Sequence, residues 1–243
     1  MQEEVNQKTV ALSIRTTKLT GKVLAAALGK VVRALQKHHQ KALTPQGRQS
    51  VKKLMNHHGG KSAMPYVGAP KDFDRIAYIM DELCQDSVQI VALGTGDERY
   101  ENMFRHFDWK YHGKVSAQIY YDESMSHRIY AASDAFLMPS LFEPCGLSQL
   151  MSLRYGTLPI VRETGGLKDT VEPYNEFEGT GTGFSFSNYN AHEMLSTIRY
   201  AERIYYDKKR EWNKMVDRAM AKDFSWSNSA RQYEEMYNWL IGE

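Results

Sequence analysis

The chain is patterned as short apolar runs, each closed by a turn residue and followed by a stretch of helical spacing. Ala135-Phe136-Leu137-Met138 stops at Pro139-Ser140, as a core strand does on leaving its sheet. Leu147, Leu150, Met151 and Leu153 then recur at helical spacing up to Gly156, the usual residue for a helix stop. Thr157 to Val161 predicts the next buried strand, and Glu163-Thr164-Gly165-Gly166-Leu167 a loop at its carboxyl end. Upstream, the same reading gives a helix near Phe73 to Leu83, a strand at Val88 to Leu93, a helix from Glu98 through Phe107, a strand near Val115 to Tyr120 and a helix containing Ser126 to Ala132. Downstream come a short strand at Phe184-Ser185-Phe186 and helices near Ala191 to Tyr206, Lys209 to Ala221 and Ser227 to Ile241, whose tyrosines and tryptophans read as packing residues. Strands alternating with helices predict an α/β fold, a Rossmann-like parallel sheet with helices on both faces.

The first sixty residues follow another pattern. Leu24, Leu28, Val31, Val32 and Leu35 give one helix within residues 21–40, and Thr44-Pro45 caps and starts a second that Gly59-Gly60 ends. Eleven lysines and arginines lie before Gly60 against only Glu3 and Glu4, although the whole chain carries a net charge of +2. No acidic residue occurs between Glu4 and Asp72, and all four tryptophans lie beyond the basic stretch. Such asymmetry predicts two unlike modules, a basic helical segment at 1–60 and a larger domain at 61–243. Basic helices can touch nucleic-acid phosphates, but no aromatic interleaving accompanies the charge here, so a solvated basic face is the simpler reading.

Candidate chemistry is concentrated between Pro139 and Leu167. In the loop Leu141-Phe142-Glu143-Pro144-Cys145-Gly146, one carboxylate stands beside a proline that stiffens the turn and a glycine that lets a ligand approach the backbone. A helix then starts near Leu147 with Ser148 in its first turn, where free N–H groups favour phosphate. Two strand-end loops flanking a helix N-terminus make the ligand crevice of a parallel α/β sheet. His127 reads as a packing or capping residue, since it has no catalytic partner in sequence, and the adjacent Asp122-Glu123 as solvated loop carboxylates. Cys84 and Cys145 are too far apart for a zinc motif, and no P-loop or G-x-S-x-G elbow is present. Neither a membrane span nor a convincing signal peptide is found, and two unpaired-looking cysteines fit a reducing cytoplasm.

Five blocks carry a resemblance: Val91-Ala92-Leu93-Gly94-Thr95-Gly96-Asp97, Ser126-His127-Arg128-Ile129-Tyr130-Ala131, the loop from Pro139 to Leu147, the run from Tyr155-Gly156-Thr157 to Thr170-Val171, and Asp223-Phe224-Ser225-Trp226. From about Lys71 onward the chain resembles the donor-binding domain of bacterial glycogen synthases and plant starch synthases. These are GT-B glycosyltransferases that extend α-1,4-glucan from ADP-glucose. The resemblance implies transfer with retention and without a metal or other cofactor. It places Glu143 against the donor glucose, the backbone of Cys145, Gly146 and Leu147 on glucose hydroxyls, Ser148 toward the diphosphate and Tyr121 beside the adenine. Residues around Gly47 to Met55 resemble a small protein family of conjugative mobile elements.

Two departures bear on function. Where the family's first donor-domain strand ends in an arginine and a lysine that grip the diphosphate, Tyr66 stands in place of the arginine, and Lys71 matches the lysine or is an ordinary surface residue. No counterpart of the acceptor-side domain precedes Lys71, so a complete cleft needs a separate acceptor-side domain. The leading expectation is therefore an ADP-glucose-dependent glucosyltransferase domain. Two alternatives stay open: a nucleotide-sugar-binding module without transfer, and a mobile-element interaction protein acting through residues 1–60.

Overall fold

The computed structural model describes residues 10–14, 66–67 and 73–241. The helices expected within residues 21–58, together with Lys71, lie outside the described residues. A seven-stranded sheet is built from β1 (Val10–Ile14), β2 (Tyr66–Val67), β3 (Ile90–Leu93), β4 (Val115–Gln118), β5 (Ala135–Met138), β6 (Leu158–Arg162) and β7 (Phe184–Phe186). Its order is β4-β3-β1-β5-β6-β7, with β2 paired to β1 off this path. β3 and β4 run parallel, as do β5, β6 and β7.

β1 is a departure from the expected all-parallel sheet. The chain's hydrophobic pattern predicted only helices before Gly60, yet Val10–Ile14 lies antiparallel between β3 and β5, with Leu12 opposite Ala92 and Ser13 opposite Phe136. Without it the β3-β4 pair and the β5-β6-β7 group would each present an open edge in the middle of the molecule, with unpaired backbone groups.

Eight helices are described: α1 (Phe73–Leu83), α2 (Glu98–Lys110), α3 (Glu123–Ala132), α4 (Ser148–Tyr155), α5 (Gly165–Thr170), α6 (Ala191–Asp207), α7 (Lys209–Ala221) and α8 (Trp226–Ile241). Successive strand residues point to opposite faces, and the core divides accordingly. Ile90, Ala92, Ala135, Leu137, Leu158 and Ile160 join one cluster with Ile76 and Met80 of α1, Phe104 of α2, Ile198 of α6 and Met215 of α7. On the other face Val91 and Leu93 meet Ile129 of α3, while Phe136, Met138 and Val161 meet Tyr130 of α3 and Leu167 of α5. Because both faces are covered, β3 and β5 are apolar and buried throughout, which is why the sequence shows them as apolar runs with no alternation.

Local signals explain the boundaries. Asp122 ends the loop before α3 by accepting from the Met125 N–H at 2.8 Å, so it is a helix cap and not the free loop carboxylate expected. Gly156 closes α4 in the left-handed conformation, at φ 74°, as its position predicted. The stretch from Gly165 was expected to be loop and instead winds into the short helix α5. The expectation that the carboxyl-terminal aromatics are packing residues holds for Trp212 and Tyr205, which are buried. It fails for α8, where Trp226 and Trp239 are exposed and no residue is buried.

Candidate functional site

The loop after β5 is held from three sides. Arg162, at the carboxyl end of β6, donates to the Leu141 carbonyl at 2.6 Å. The Gly166 N–H donates to the Glu143 carbonyl at 3.0 Å. Contact between the loops is close enough to require glycine, because a Cβ on Gly166 would sit 2.3 Å from the Cys145 carbonyl oxygen.

The third side is Gln149, on the first turn of α4. Its side chain is fully buried, and Nε2 donates to the carbonyls of Cys145 at 3.0 Å and Gly146 at 2.9 Å and contacts the Thr170 hydroxyl oxygen at 3.2 Å. Gly146 adopts φ 73°, and a Cβ there would meet the Gln149 side chain at 2.4 Å. One buried amide thus knits the loop, the start of α4 and the end of α5 together. Sequence reasoning missed it, since Gln149 looks like an ordinary polar helix residue; only its place four residues after Cys145 hints at a bond back to the loop.

Glu143 is half-buried on this braced loop, and its carboxylate has no hydrogen-bond or ionic partner among the described residues. Burial raises its pKa above the ordinary carboxylate value. A carboxylate held without a partner is available to a ligand, and it can favour positive charge developing nearby.

Immediately beyond, α4 begins at Ser148 with no side-chain cap on its first N–H groups. Such a helix start is electropositive and suits an anion. Ser148 opens onto a pocket of about 160 Å³ that Gly94, Tyr121, Glu123, Ser126 and His127 also line. Leu93 and Gly94 stand at the carboxyl end of β3, so the pocket occupies the strand-end position that a doubly wound sheet leaves for ligands.

Of the residues singled out from the sequence, Tyr121 and Ser148 come together in this pocket. Glu143, Cys145, Gly146 and Leu147 form the adjoining loop outside its wall, and Lys71 is outside the described residues. Tyr121 keeps most of its ring exposed. His127, read from sequence as packing, is half-exposed in the pocket wall, with Nδ1 at 3.1 Å from the Tyr155 hydroxyl. Among the described residues no group of three His, Cys, Asp or Glu side chains is placed to hold a metal ion.

Residues 66–217, more than half of the chain, match the family described as glycosyl transferases group 1. The chain belongs to that family. It is 75% identical over 170 residues to a glycogen synthase of Lachnospira eligens, an alignment covering 70% of this chain and 36% of the relative. It is 69% identical over 167 residues to a glycogen synthase of Lachnoclostridium phytofermentans, covering 69% of this chain and 35% of that one. The fold is also similar to part of the catalytic domain of starch synthase IV from Arabidopsis thaliana, with a TM-score of 0.65 and 30% identity, covering 93% of this chain and 45% of the other. The chain thus spans about a third of the length of the curated relatives it matches. Residues 21–78 match a second family, described as a protein of unknown function (DUF3801), which fits the resemblance seen in the basic segment. No helix among the described residues is long and apolar enough to cross a membrane.

Proposed function

We propose that this chain is the donor half of a glycogen synthase-type glucosyltransferase, moving glucose from ADP-glucose to the non-reducing end of an α-1,4-glucan with retention. One observation carries the reading furthest: a half-buried, unpartnered carboxylate, Glu143, on a braced loop that runs into an uncapped helix start at the mouth of a pocket. The starch synthase IV neighbour was solved bound to ADP and acarbose, which supports a nucleotide and a glucan as the ligand classes.

In this reading Glu143 positions the donor glucose, and its negative charge favours the oxocarbenium-like anomeric carbon as the bond to phosphate lengthens. Backbone groups of Cys145, Gly146 and Leu147 meet the sugar hydroxyls. Ser148 and the first N–H groups of α4 take the charge of the departing diphosphate, while Tyr121 lies against the adenine and Lys71 pairs with phosphate. The acceptor hydroxyl attacks from the face the diphosphate leaves, and its proton passes to the leaving phosphate oxygen. Both cysteines are free thiols, in keeping with work in a reducing cytoplasm.

A second reading of the same site is a module that binds nucleotide sugar, with transfer requiring an acceptor-side domain opposite it. Calorimetric titration with ADP-glucose, alongside transfer of labelled glucose to glycogen, tests both. Binding with transfer supports the enzyme, and binding with transfer restored only by an added acceptor-side domain supports the half-enzyme. Absence of ADP-glucose binding refutes both and leaves the basic segment as the seat of function.

A further inference from the structure

His127 of the pocket wall is backed by Tyr155, a side chain that neither the loop nor the helix start requires. Tyr155, the last residue of α4, lies nearly parallel to Tyr130 at 6.0 Å and 19°, and Tyr130 is itself buried against Phe136 of β5. The Tyr155 ring is therefore fixed by packing, and its hydroxyl stands 3.1 Å from Nδ1 of His127.

That contact links the phenol's hydrogen to the choice of imidazole tautomer. A phenol has one hydrogen to give, burial raises the Tyr155 pKa so that it keeps that hydrogen, and the described residues offer it no acceptor but Nδ1. With Nδ1 accepting, the neutral ring carries its proton on Nε2. Glu123 Oε1 lies 3.9 Å from Nε2, beyond hydrogen-bond reach, and the Glu123 side chain is 75% exposed. In that tautomer His127 presents an N–H donor beyond hydrogen-bond reach of Glu123, on the wall it shares with Ser148.

We propose that Tyr155 holds His127 in its Nε2–H tautomer and that this N–H binds a phosphate oxygen of a nucleoside diphosphate in the pocket. His127 is then a ligand-binding residue and Tyr155 a positioning residue acting through it. The inference rests on the nucleotide reading above, and the choice of a phosphate oxygen follows from the uncapped start of α4 on the same wall.

The test uses the full chain and ADP as probe. Imidazole ¹⁵N spectra at about pH 8, where ordinary histidines are neutral, are expected to show a protonated Nε2 and a bare Nδ1 for His127, and the distinction to weaken in Tyr155→Phe, which keeps the ring stack. Calorimetry is expected to show ADP binding weakened about tenfold or more in His127→Ala, and nearly restored in His127→Gln, whose amide N–H falls near the lost Nε2. A bare Nε2 in the wild type, or equal ADP affinity in wild type and His127→Ala, overturns the proposal while leaving the nucleotide site standing. Wild-type protein that binds no ADP overturns the nucleotide reading together with this extension of it.

Discussion

The Cα of Gly166 faces the carbonyl oxygen of Cys145 so closely that a methyl group placed on it would lie 2.3 Å from that oxygen. The two strand-end loops are therefore in backbone contact, and the loop carrying Glu143 takes its position from the one that follows β6. Gly166→Ala must push them apart. We expect a loss of about 1–3 kcal/mol in stability, typical of overpacking, together with weaker ADP binding. Denaturant titration and calorimetry read the two effects, and a variant as stable as the wild type would show that the contact is not enforced.

Gln149 supplies the other brace. Gln149→Leu keeps the volume but leaves the Cys145 and Gly146 carbonyls without its donor, so the cost should be roughly 1–3 kcal/mol. Urea melts measure it. Glutamine at this position lies outside the loop's apparent motif, so a neutral result would confine the site's rigidity to its glycines.

Ionised Glu143 is a standing cost to the fold. Because burial raises its pKa, the folded chain holds this proton at pH values where the unfolded chain has released it. Stability from this group is therefore greatest below the ordinary carboxylate value, falls as pH rises through the raised one, and stays low above it. Glu143→Gln should melt above the wild type at pH 7, with the gap closing as pH drops below 4.5. Any glucose transfer by this chain, alone or complemented, should fall about 100-fold. Thermal melts across pH and the labelled-glucose assay check the two halves of this prediction.

The two thiols should differ sharply. Cys84 is buried, with its pKa pushed up to about 12, whereas Cys145 is exposed on the site loop. A thiol reagent at neutral pH should modify Cys145 first and reach Cys84 only on unfolding. Saturating ADP-glucose should slow the Cys145 reaction, as followed by mass spectrometry; unchanged labelling would place the ligand elsewhere.

β1 should be part of the cooperative fold. Leu12→Pro removes a backbone donor from a strand flanked on both sides, a change expected to cost about 3 kcal/mol or more. A melt indistinguishable from the wild type would mean that the sheet holds without it.

What the sequence disclosed, and what it withheld, follows from the range of the forces involved. β3, β5 and β6 were legible because burial on both faces writes itself as an apolar run, and the end of α4 because Gly156 sits where only a left-handed residue fits. The Glu143 loop and Ser148 were legible as an ordered motif. β1 was not, because a strand of five residues gains its identity from partners such as Ala92 and Ala135, far along the chain. The pairing of His127, read as packing or capping, with Tyr155 was hidden for the same reason: it exists only once α3 and α4 pack side by side. The exposed face of α8 ran the other way, since helical spacing of aromatics reports an amphipathic face without saying whether anything covers it.

A central strand taken from the first residues of the chain also sets the order of assembly. Val10–Ile14 precedes every strand it pairs with, so it can meet β2 and β3 as they are made, while its other edge stays open until Ala135 and its neighbours emerge. The β3-β4 pair can form in the meantime, whereas β5, β6 and β7 are made afterwards. Closure of the middle against β5 is then the late event, and it completes the sheet.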